Sequence, residues 1–182
     1  SNLVKESIKN NAQGDTSDST FTTTEYVYNN VNDLIGTKVN DGSKVNAVQY
    51  WYDNASRVTA MATGLSSINT SSSLPSSGSI TYYEYNIRGF LSKETDALGQ
   101  SATYTHDYVG NVKTATDRNG AVTTNEYGPY GVTSTSITDG TNIEKYIYTY
   151  DKMGNLTSTE LYNNGTLEDT VTSTYDAFGR EI

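Results

Sequence analysis

The sequence predicts an all-β protein, an antiparallel β-hairpin repeat array laid out as a meander strip. Three observations predict it. An Asx-x-x-Gly element recurs through the 182 residues at a spacing near 21. Tyrosines stand two apart just ahead of these elements, a period that puts side chains on one face of a strand. Six or seven residues rich in Thr, Val, Tyr and Ser separate successive turn signals, as in Gln100 to Thr105 and Ala121 to Glu126, and such residues suit a pleated backbone.

The repeat element reads Tyr-Asx-x-x-Gly-x-Leu. Its clearest copies begin at Tyr85, Tyr150 and Tyr175, with relatives at His106 and Tyr127 and two copies lacking the glycine at Tyr28 and Tyr52. An Asx side chain at the first turn position bonds the backbone two residues on, and a glycine at the fourth closes a short hairpin with a bulge. Asp53, Asn86, Asp107, Asp151 and Asp176 fall at the first position, and Gly89, Gly110, Gly131, Gly154 and Gly179 at the fourth. All ten are expected to be structural turn residues.

A second turn signal follows half a period later, at Asp41-Gly42, Asp96 to Gly99, Asp117 to Gly120, Asp139-Gly140 and Asn163 to Gly165. Together the two series imply a meander of about thirteen strands. No segment shows helical periodicity; the only faint candidate is Leu3 to Asn11. Two stretches break the rhythm: serine-rich 66–79 is expected to be a flexible loop, and polar Asn10 to Thr20 to be mobile. Ser1-Asn2 reads as the remnant of tag removal, with the natural N-terminus and any signal peptide expected upstream. Residues 1–24 are thus expected to be a tag scar and poorly ordered leader, and 25–182 to hold about seven repeat units.

Leu, Ile, Val and Phe make up under a fifth of a chain whose net charge is −9, a composition that by itself points to disorder. Sixteen tyrosines and Trp51 reverse that expectation. A buried aromatic removes roughly 150–250 Å² from water, so a tyrosine-rich core is expected. The absence of cysteine removes disulfide and thiolate chemistry, and the single His106 argues against a histidine metal site. Twelve Lys and Arg form no basic patch for nucleic acid, and no apolar run approaches the ~20 residues of a membrane span. No nucleophile–base pair, cofactor motif or metal cluster stands out, so the chain is read as having no catalytic, cofactor or metal site and as no enzyme.

With the period, the Tyr-Asx-x-x-Gly-x-Leu turn and the downstream Asp-x-x-Gly in view, residues 25 to 182 resemble the YD-repeat, or RHS-repeat, family. The resemblance implies hairpins joined edge to edge into a long β-strip that spirals into a hollow shell, as in bacterial polymorphic toxins, insecticidal toxin complexes and teneurins. It implies a structural segment of a secreted or cell-surface bacterial protein, packed on the neighbouring repeats of its own chain and enclosing a C-terminal cargo or toxin domain. Family shells that release cargo finish in a proline-rich segment with aspartate-dependent self-cleavage. Pro75 and Pro129 are the only prolines here and no Asp-Pro pair occurs, so the resemblance assigns no protease residues. The copies depart from the pattern at Asn32, Ser56, Gly128, Thr133 and Glu181.

The alternative is a surface adhesion module that binds cell-surface glycan through exposed tyrosines. Most tyrosines are expected to pack on one another across strands, at ~0.2–1 kcal/mol per pair. Tyr108, Tyr130 and Tyr162 stand outside the repeat phase and are the candidates for glycan contact. His106 occupies a repeat tyrosine position and is expected to substitute for that ring. The open edges of such a strip are expected to recruit partners, giving a homodimer by sheet-edge pairing.

Overall fold

Wherever β-branched and aromatic residues run between Asx and Gly turn signals, the chain is extended. Residues 2–9, 21–71 and 73–182 are described in the computed structural model. The first strands are β1 (Asn2–Lys9), β2 (Phe21–Tyr28), β3 (Leu34–Asn40), β4 (Val45–Tyr52), β5 (Val58–Leu65), β6 (Ser79–Tyr85) and β7 (Leu91–Thr95). They are followed by β8 (Ser101–His106), β9 (Val112–Thr116), β10 (Val122–Gly128), β11 (Gly131–Thr138), β12 (Ile143–Tyr150), β13 (Leu156–Asn163) and β14 (Thr166–Thr172). The strand order in the sheet is the chain order, an antiparallel meander. Its residues group into two compact units, Ser1–Glu84 with Glu94–Gln100 and Tyr85–Lys93 with Ser101–Ile182.

Fourteen strands rather than thirteen follow from one correction. The faint helix candidate at Leu3 to Asn11 is extended over Asn2–Lys9, which pairs antiparallel with β2 from Asn2↔Tyr28 to Lys9↔Phe21. A local pattern of three apolar residues is too weak to hold an isolated helix, whereas a neighbouring strand supplies partners for the backbone groups. The segment Asn10 to Thr20, expected to be mobile, lies outside the described residues.

The expected tyrosine core is also corrected. In the first unit the buried cluster is Ala47, Ala62 and Leu65, with Trp51, Ile68 and Ile80 packed against it. Thirteen tyrosines are half-buried and three, Tyr82, Tyr108 and Tyr130, are exposed. A large ring is fully enclosed only between two packed layers, and among the described residues one sheet supplies the strands, so alanine takes the fully buried positions.

The start of serine-rich 66–79 is held at Ile68 and Asn69. Ile68 lies so close to the backbone of Gly36 that a Cβ there would sit 2.7 Å from it. Buried Gln49 holds the same stretch with a reciprocal pair: its Nε2 donates to the Asn69 carbonyl at 2.5 Å, and the Asn69 N–H donates to Oε1 at 2.9 Å. A buried amide is stable only when both ends are paired, and the loop backbone supplies both partners.

Candidate functional site

The repeating chemistry of this chain sits in its turns. Eight of them, anchored at Asn29, Asp53, Asn86, Asp96, Asp107, Asp117, Asp151 and Asp176, share one geometry. In each, the anchor N–H donates to the carbonyl four residues on, at 2.8–2.9 Å. In each, the anchor Oδ1 accepts from the N–H groups two and four residues on; at Asp151 these are Met153 at 2.8 Å and Asn155 at 2.9 Å. The same double acceptance recurs at Asn86, where Arg88 and Phe90 donate at 2.9 and 3.1 Å. The fourth residue has a positive φ throughout, from 56° at Ser56 to 103° at Gly110. Asn32 and Ser56, which replace the glycine, adopt it as well, at 71° and 56°. The turns at Asp96 and Asp117, read as a second class, are built identically.

Three positions depart. Tyr127-Gly128 has no Asx anchor, and the link becomes a two-residue hairpin, Pro129-Tyr130, closed by Gly128↔Gly131 pairing. Gly131 therefore opens β11 instead of closing an Asx turn. Asp41 and Asp139 make a shorter version whose Oδ1 accepts from residues two and three on.

These bonds act on the carboxylates. Asp151 is held below the usual carboxylate range by the Asn155 side-chain amide and then its main-chain N–H. Asp53 is lowered first by the Arg57 side chain, and Asp176 first by the Arg180 main-chain N–H. Asp53, Asp151 and Asp176 are thus acceptors consumed by their own turns, which makes them poor candidates for acid–base or calcium chemistry.

A bulge follows each of five turns. The pairing skips one residue between Val27 and Tyr28, Trp51 and Tyr52, Thr105 and His106, Glu126 and Tyr127, and Thr149 and Tyr150. The skipped residues are Ile35, Thr59, Lys113, Thr133 and Thr157. The motif aromatic then lies opposite the last apolar residue of its own motif, as in Tyr150↔Leu156. Extra residues of this kind bend the strand and increase its twist. Two of them, Thr59 and Thr157, turn their hydroxyls back to the carbonyls of Trp51 and Thr149, at 3.3 and 3.1 Å.

The motif tyrosine joins one hairpin to the one before it. Tyr52 donates its hydroxyl to the Leu34 carbonyl at 2.8 Å, Tyr127 to Val112 at 2.9 Å, Tyr150 to Val132 at 2.9 Å and Tyr175 to Leu156 at 3.0 Å. Each acceptor is the apolar residue that ends the preceding motif. The half-buried ring thus satisfies its hydroxyl on the neighbouring repeat, which is how a Tyr-rich sheet avoids stranding polar groups. His106 stands in the same phase, stacked on Phe90 with centroids 5.2 Å apart, but its buried Nδ1 finds no partner.

Successive turns also touch. A Cβ on Gly110 would lie 2.8 Å from the Phe90 ring, and one on Gly154 3.3 Å from the Tyr130 ring. Tyr130 further donates to the Lys152 carbonyl at 3.1 Å, and Arg88 to that of Asp107 at 3.4 Å. The latch acceptors and these ring–glycine contacts were missed from sequence. Their signal is there in outline, since the acceptor always precedes the next motif tyrosine by 15–19 residues.

The three glycan candidates are not brought together. Tyr108 is 81% exposed at a turn tip. Tyr130 lies at the next tip on the same side but is tilted against Tyr150 with centroids 6.4 Å apart. Tyr162 is half-buried near the opposite ends of the strands, and its hydroxyl donates to Glu160 at 2.8 Å. Among the described residues no group of three potential metal ligands occurs.

Residues 85–122 match the family model described as RHS Repeat. Among solved structures, a mutant Tc holotoxin pore of Photorhabdus luminescens aligns over 91% of this chain and 9% of its own, at 13% identity and a TM-score of 0.67. A crystal structure of TcdB2-TccC3-Cdc42 aligns over 99% of this chain and 12% of its own, at 17% identity and a TM-score of 0.52. The chain spans about a tenth of the length of these solved chains, and the likeness is one of fold. No curated protein matches the sequence.

Proposed function

We infer that this RHS-repeat chain is a length of structural wall, and propose that the wall belongs to a secreted or cell-surface bacterial protein and encloses a C-terminal cargo or toxin domain. The observation that carries the reading is the tyrosine latch. Four motif tyrosines, Tyr52, Tyr127, Tyr150 and Tyr175, fix their hydroxyls on the preceding repeat, so those units are completed by their neighbours. The anchor aspartates of the repeat, such as Asp151 and Asp176, are spent on turn closure, which fits a rigid scaffold better than a reaction site. The fold likeness to chains of the Tc assemblies supports the enclosing role.

Limited proteolysis of the full-length gene product tests it. An enclosed C-terminal domain stays intact under native conditions and is digested once guanidinium unfolds the wall. Digestion of that domain at the same rate in both conditions would exclude enclosure.

A further inference from the structure

The two ends of the hairpins in the second unit differ sharply. At the ends formed by turns 86–90, 107–111, 128–131, 151–155 and 176–180, every tip carries a large exposed apolar side chain. Ile87 is 104% exposed, Tyr108 81%, Val109 61%, Tyr130 50%, Met153 64% and Phe178 84%. At the opposite ends the tip residues are Arg118, Asn119, Gly140, Thr141, Asn164 and Gly165. Turn closure requires only the anchor and the fourth residue, so nothing in the fold calls for apolar residues between them.

We propose that this apolar turn edge is an interface for a second copy of the chain. Charge favours that occupant. The five turns carry three cations, Arg88, Lys152 and Arg180, against three carboxylates, Asp107, Asp151 and Asp176, so the edge is neutral on a chain whose net charge is −9. Two acidic molecules meet there with the least repulsion. Area agrees. A fully exposed aromatic offers roughly 150–250 Å², and the six side chains together present on the order of 800 Å², about what each partner of a standard interface buries.

Spacing selects a copy over an unrelated surface. Tips on one side recur every second strand, about 10 Å apart, and an identical row shifted by half that distance fits knobs into gaps. The row is also pre-organised. Phe90 and Tyr130 pack on the glycines of the next turns, and Tyr130 bonds the Lys152 carbonyl, so little ordering is needed on association. This surface is distinct from the terminal strand β14, whose residues are exposed along their whole length.

Sedimentation equilibrium of the intact chain, from micromolar to about millimolar, tests the proposal. The expected result is a rise toward the dimer mass. The triple variant Tyr108→Ser, Met153→Ser, Phe178→Ser raises Kd at least tenfold with an unchanged circular dichroism spectrum, whereas Val171→Lys in β14 leaves Kd within twofold. Because the chain has no cysteine, a nitroxide on Tyr108→Cys gives a second readout, with dipolar broadening between copies that a label on Val171→Cys lacks. A monomer across the whole range overturns the proposal. So does an association that survives the tip substitutions or is lost on Val171→Lys, and so does broadening at Val171→Cys without broadening at Tyr108→Cys.

Discussion

Replacing Tyr150 by Phe removes a single oxygen and leaves the ring, its bulge and its contact with Tyr130 in place. What is lost is the 2.9 Å hydroxyl bond to the Val132 carbonyl that ties one hairpin to the one before it. A neutral intramolecular hydrogen bond contributes about 0.5–1.5 kcal/mol net. For a chain of this size each kcal/mol moves the midpoint by roughly 2–4 °C, so Tyr150→Phe lowers the melting temperature by about 1–6 °C. Tyr127→Phe is the internal control. The Val112 carbonyl that Tyr127 reaches also accepts from Asn125 Nδ2 at 3.1 Å and keeps that partner in the variant. Its loss is therefore smaller. Urea denaturation of both variants, with the slope of the transition unchanged, measures the difference. No loss in Tyr150→Phe, or a larger one in Tyr127→Phe, would refute the latch as an energetic link between repeats.

His106→Tyr places a hydroxyl where the other copies have one and removes the unpartnered Nδ1; a stabilisation of about 1 kcal/mol by urea denaturation is expected, and destabilisation would contradict the equivalence of this position with the motif tyrosine. Gly110→Ala and Gly120→Ala both force alanine to a positive φ, at 103° and 89°, but only the first drives a Cβ into the Phe90 ring, so it costs more than the ~1 kcal/mol expected at Gly120. The lowered carboxyls of Asp53, Asp151 and Asp176 set the acid limb of stability: their contribution is complete above the ordinary aspartate value of about 3.9 and is lost as pH falls through the lower folded values. Asp151→Asn keeps the turn, as native Asn86 shows, and flattens that limb in a pH titration of the urea midpoint. Gln49→Ala removes both bonds to Asn69 and frees the start of loop 66–79, which is then nicked by protease several-fold faster at an unchanged global fold.

The turns were legible because their chemistry is local. Asp151 and Gly154 are three apart, and the bonds that define the turn join residues two to four apart, so the sequence itself displays the partners. The turn positions were read from that local signal, and the reading failed where the signal failed. Without an Asx, Tyr127-Gly128-Pro129 folds to a two-residue hairpin that a search for Asx-x-x-Gly misplaces. The anchoring of loop 66–79 was not legible. It depends on Gln49 meeting Asn69 twenty residues away and on Gly36 leaving room for Ile68, and neither pairing leaves a local trace. Strand β1 was not legible because its three apolar residues fit either period, and only its pairing with β2 decides. The tyrosines revealed a sheet face but not their depth. Burial is set by what lies over the sheet, and there the small side chains of Ala47 and Ala62 are fully enclosed while thirteen tyrosines stay half-buried and three are exposed.

Amide hydrogen exchange, followed residue by residue, tests most directly whether one turn is repeated along the chain. Slow exchange is predicted in all eight turns at the N–H groups that the anchor Oδ1 accepts, including Met153 and Asn155 beside Asp151 and Arg88 and Phe90 beside Asn86. Exchange at those amides as fast as in an unstructured peptide would contradict it.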